Sequence, residues 1–169
     1  MMPYGRATDF PDMARKVADG TADEATFKTI RCSIEHQDTL WQASPYMTDV
    51  LIELLDHPEV DCAAVLSILK VVHKAAVNFY PDSRADGREV PREHDLLPFL
   101  GEDDEDIVFE RYFETENIEH GYYQHWRCLD SIVAARERIE SFSDAAGPVG
   151  DIARAFFGTE DAIQVPVES

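Results

Sequence analysis

An all-α fold is what this sequence predicts, on three observations. Apolar residues recur at i, i+3, i+4, i+7 and i+8 in several separate stretches, the spacing that gathers them on one face of a helix. Helix-start and helix-stop residues bracket those stretches. No stretch alternates apolar and polar residues over a strand's length. The 169 residues suffice for one domain with a sizeable core. A 44% apolar content with 9 Phe, 6 Tyr and 2 Trp excludes disorder of the whole chain.

The first helix is expected to start at Asp9, with Pro11 just inside, and to stop at Gly20 after Met13 to Ala18. Thr21-Ala-Asp-Glu24 has capping-box spacing, so a second helix starts there and turns Phe27, Ile30 and Ile34 inward. Ser44 reads as the cap of a third, with Pro45 in its first turn. Met47, Val50, Leu51, Leu54 and Leu55 fill its apolar template without a gap. The helix ends near His57-Pro58, because the residue before a proline is pushed out of the α region. Val65, Ile68, Leu69, Val72 and Ala76, widened by Leu66 and Val71, give a fourth helix. So short a connection makes the third and fourth an antiparallel αα-hairpin, expected at the centre of the fold.

From 78 to 98, Pro81, Gly87, Pro91 and Pro98 punctuate a polar stretch that reads as an irregular, mobile loop. A helix over Asp104 to Glu116 turns Val108, Phe109, Tyr112 and Phe113 inward. One long helix from Tyr122 to Phe142 uses Tyr122, Trp126, Leu129, Ile132, Val133 and Ile139. After Gly147-Pro148, a last helix carries Val149, Ile152, Ala153, Phe156 and Phe157, with Gly158 closing it and a frayed tail at 159–169. Residues 1–169 thus form a single domain, in which Leu51, Leu54, Leu55, Val65, Ile68, Leu69, Val72, Trp126, Leu129 and Val133 are expected to be buried together.

Fifteen Lys and Arg against 34 Asp and Glu give a net charge of −19. Nucleic acid and anionic membranes are polyanions and would be repelled by that field, so neither is expected as a partner; a basic protein is. Nine of the carboxylates lie between Glu102 and Glu119, where Arg111 is the single basic residue. Acidic side chains favour a first helical turn, but five in a row at 102–106 repel one another beyond what capping needs. Asp103, Asp104, Glu105, Asp106, Glu110 and Glu114 are therefore the candidate contact residues, with Tyr122, Tyr123 and Trp126 as aromatic anchors.

Candidates for chemistry are few. Cys32 and His36 are four residues apart and would share a helix face, but no orienting residue or oxyanion donor accompanies them, and core packing is the better reading. His125 and Cys128 share a face, His120 points elsewhere, and a closed zinc site lacks its fourth ligand. Phosphate-loop, His-Glu-x-x-His, Gly-x-Ser-x-Gly and EF-hand patterns do not occur. A non-enzyme without cofactor or metal is expected. Cys32, Cys62 and Cys128 form no CxxC pair, the first twenty residues do not read as a leader, and no 18 apolar residues run together. A soluble, cytoplasmic protein follows as the expectation.

Gln37-Asp-Thr-Leu-Trp-Gln-Ala-Ser-Pro45 followed by Asp49-Val-Leu-Ile-Glu-Leu-Leu-Asp-His-Pro58 resembles bacterial HEAT-repeat proteins. That group shows a His-Gln-Gly-Thr-like lead-in, an Ala-Ser helix start, a Leu-rich helix and an Asp-Pro turn before a second Leu-rich helix, matched here by Ala64 to Ala76. Cys128-Leu-Asp-Ser-Ile-Val-Ala134 resembles the lead-in of a later repeat, and together these stretches cover roughly half the chain. Asp38 stands where the pattern has a glycine, and 78–98 interrupts the repeat period. The resemblance implies a short right-handed stack of antiparallel hairpins, a HEAT-like α-solenoid, and a binding scaffold; some such proteins act as immunity proteins against toxins. Two alternatives stand beside it. One is a small metal-dependent hydrolase using His120 and His125; the other is a scaffold adapted to high salt with no charge-coded partner, as four Lys against eleven Arg would also suit.

Overall fold

The computed structural model describes residues 9–36, 39–40, 43–84 and 118–157. Within them the order is α1 (Phe10–Ala18), α2 (Glu24–Ile34), β1 (Glu35–His36), β2 (Thr39–Leu40), α3 (Ser44–Leu54), α4 (Cys62–Arg84), α5 (Ile118–Ala134), α6 (Arg136–Ser141), a 3-10 turn (Phe142–Asp144) and α7 (Pro148–Arg154). The fold is all-α. The one ribbon among the described residues is a two-residue antiparallel pair, Glu35 opposite Leu40 and His36 opposite Thr39. No described helix is long and apolar enough to cross a membrane. The expected helix at Asp104 to Glu116, the loop beyond Arg84 and the tail at 159–169 lie outside the described residues.

The start of α2 differs from the capping-box expectation. Gly20, at φ 67°, lets its N–H reach the Val17 carbonyl at 3.1 Å and the Thr21 N–H reach that of Lys16 at 2.9 Å. These bonds satisfy the last carbonyls of α1 and hold Thr21 to that helix. The cap of α2 is Asp23, whose carboxylate accepts from the Thr26 N–H at 2.8 Å and the Thr26 hydroxyl at 2.6 Å. The hydroxyl and the backbone N–H of Thr26 together hold the Asp23 carboxyl below its usual 3.8.

Ser44 is likewise not a cap. It is the first residue of α3, fully buried, and its hydroxyl donates at 2.6 Å to Ile34 O, one of the carbonyls left over at the end of α2. Asp61 caps α4 by accepting from the Ala64 N–H at 3.0 Å. α4 then runs to Arg84, past Asn78 where the loop was expected. Pro81 has no N–H to give to the Val77 carbonyl, but in a final turn that is a single lost bond, and the rest of the turn continues.

The core contains the predicted Leu51, Leu54, Leu55, Val65, Ile68, Leu69, Val72 and Leu129, with Leu66, Ile132, Ile139 and Phe156. Trp126 and Val133 pack on it half-buried. Of the hairpin expected at the centre, α4 touches the widest set of elements, α2, the ribbon, α3, α5 and α7, and makes its most extensive contact with α5; α3 also touches α5 more than it touches α4. Leu40 bonds His125, Thr48 bonds Cys128, Asp49 pairs with Arg127, and Ile52 bonds Arg138. The three hydrogen-bond partners of Leu40, Thr48 and Ile52, at His125, Cys128 and Arg138, ascend together, so the segment from β2 through α3 and the segment α5–α6 run in the same sense.

The long helix expected from Tyr122 to Phe142 is two, broken at Ala135 (φ −88°, ψ 8°). Neither Pro nor Gly marks the break. Beyond it Ile139 is buried, and Arg138 donates to the Ile52 carbonyl in the last turn of α3 at 3.0 Å while pairing with Asp56 at 3.0 Å. α7 ends at Arg154, short of Gly158, yet Phe156 beyond it is fully buried.

Candidate functional site

The polar side chains buried in this core come from the end of α2, the start of α3, α4 and α5: Ser33, Ser44, Thr48, His73, Gln124 and His125. A buried polar group costs free energy unless it is bonded, so the partners decide what each can do. Thr48 and Cys128 face each other because both lie on the apolar faces along which α3 and α5 pack. The Thr48 hydroxyl donates to the Cys128 sulfur at 3.6 Å. Burial pushes the Cys128 thiol up to about 12, the Thr48 hydrogen bond opposing it. A buried thiol raised in this way carries little thiolate at neutral pH, which lowers its reactivity as a nucleophile. His125 accepts the Leu40 N–H on its Nε2 at 3.2 Å, which ties the ribbon to α5 and takes that nitrogen's lone pair away from any metal.

His125 and Cys128 are thus neighbours on α5 with separate structural partners. The backbone of His120 is on the same helix; its side chain, like those of Tyr122 and Tyr123, lies outside the described residues. Cys32 and His36 do not share a helix face, since α2 ends at Ile34 and Glu35 is extended at φ −133°, ψ 136°. Among the described residues no group of three or more His, Cys, Asp or Glu is placed to hold a metal ion. The Ser33 hydroxyl is fully buried without a hydrogen-bond partner.

Of the expected contact residues, Asp103, Asp104, Glu105, Asp106, Glu110 and Glu114 lie outside the described residues. Trp126 is half-buried against the core. The exposed large apolar side chain among the described residues is Tyr46, at 51%. It shares α3 with Asp49 and the exposed Glu53, next to Arg127 of α5, which reaches Asp49 at 3.6 Å and Asp130 at 3.8 Å.

Sequence reasoning missed one cluster. His73 of α4 packs on Phe156 at 5.6 Å and edge-on to Phe157 at 5.3 Å, the two phenyl rings are 4.8 Å apart, and the Arg136 guanidinium lies 4.1 Å over Phe157. This joins the segment after α7 to α4 and to the start of α6. The available signal was position: His73 falls four residues after Leu69 and three before Ala76, inside the apolar stripe. A shallow hollow nearby is lined by Glu140, Ser143, Ala153, Arg154 and Phe157. Arg154 is committed there to Asp151, at 2.5 Å, and to the Ser143 carbonyl. The arrangement as a whole can fix helix register and join segments; it assembles no reacting centre among the described residues. Comparison with protein-family models, with curated proteins and with solved structures finds no match to the chain.

Proposed function

We propose that this chain is a non-catalytic, acidic protein-binding scaffold of the helical-repeat type, an immunity-type inhibitor that occludes a basic toxin or nucleic-acid-directed enzyme in the cytoplasm. One observation carries the reading: a net charge of −19, with nine carboxylates against one arginine between Glu102 and Glu119. Like charges concentrated in one segment repel one another, and a cationic cleft relieves that repulsion. The mechanism is blockade. Asp103, Asp104, Glu105, Asp106, Glu110 and Glu114 steer the basic surface into contact and raise the association rate at low salt. Tyr122, Tyr123 and Trp126 supply apolar anchors. Stacking as a HEAT-like solenoid is supported by the common sense of α3 and α5–α6, since successive hairpins set equivalent helices side by side in one direction. The hydrolase alternative loses support from the Nε2 of His125, which already accepts the Leu40 N–H.

The test is capture of the partner by pull-down with the full chain, followed by association rates against salt. Reversing Asp103, Asp104, Glu105 and Asp106 to lysine is expected to slow association at least tenfold at low ionic strength. At ~0.5 M salt, where the Debye length falls below about 5 Å, the difference nearly vanishes. Dissociation changes less, because rim charges act mainly on encounter. An unchanged association rate at low salt overturns the assignment of the acidic segment.

A further inference from the structure

We draw no further inference here: the strongest candidate, the surface patch of Tyr46, Asp49 and Glu53 along α3 beside Asp130 of α5, is an acidic stripe partly neutralised by Arg127, and nothing in the structure shows what covers it.

Discussion

Cys128 and His125 stand three residues apart on α5, and spacing alone does not separate a ligand pair from two core side chains. Burial and partners do. With its thiol pushed up to about 12, Cys128 is expected to resist a thiol-specific reagent at pH 8 in the folded protein, while the half-buried Cys32 and Cys62 react. Cys62 reacts more slowly than an ordinary cysteine, because burial and then Asp61 raise its thiol as well. Peptide mass spectrometry over a labelling time course reads the order, and labelling of Cys128 as fast as Cys62 contradicts the buried placement. Asp23 makes a pH prediction with a definite sign. Its carboxyl is held below 3.8 in the folded chain by Thr26, so its contribution is fully present above the unfolded value and is lost as pH falls through the lower folded one. The stability gap between the native protein and Asp23→Ala should be constant from neutral pH down to about 5 and close below 4. A gap that persists at pH 2 in chemical denaturation shows that the carboxylate is not the capping group.

At the scale of elements, the boundaries of α1, α2 and α3 are set by pairs of neighbouring ends. The α1–α2 corner is the tightest case. Gly20 combines φ 67° with the Glu59 backbone, whose carbonyl oxygen would sit 2.7 Å from an added Cβ. Gly20→Ala should therefore destabilise by more than the roughly 1–2 kcal/mol of a left-handed residue alone, because the α3–α4 connection must also move. A loss under about 0.5 kcal/mol in urea unfolding, the ordinary range for surface substitutions, would place the corner away from Glu59. The same logic explains the break at Ala135. No local signal marks it, but Ile139 must reach the core while Arg138 reaches the Ile52 carbonyl and Asp56. The sequence stripe extrapolated one straight helix because periodicity carries no information about a distant acceptor.

The whole molecule carries −19 on 169 residues, and self-repulsion on that scale opposes the compact state. Added salt screens it, with a Debye length of about 10 Å at 0.1 M. The melting temperature is expected to rise by several degrees between ~0.02 and ~0.5 M sodium chloride, in line with the few degrees that each kcal/mol is worth for a chain of this size. Thermal unfolding followed by circular dichroism across that range checks it, and a flat or falling curve contradicts it. Outright loss of the fold at the lowest salt would favour the high-salt scaffold without a charge-coded partner over the inhibitor.

The sequence by itself determined the all-α class, the inward faces of α2, α3 and α4, and the charge field. Each of these depends on residue type and on spacing within one element, so Leu51, Leu54, Val65 and Leu69 were legible as core before any contact was known. Tertiary structure alone decided that Ser44 serves the end of α2, that α5 packs against both α3 and α4, that the Tyr122–Phe142 stripe breaks at Ala135, and that His73 packs into an aromatic cluster. It also decided the partners of His125 and Cys128, since a lone pair taken by Leu40 and a thiol raised by burial are properties of what surrounds a residue. Those partners lie 85 and 80 positions away along the chain, and only the packing of α5 on α3 and the ribbon brings them within a hydrogen bond.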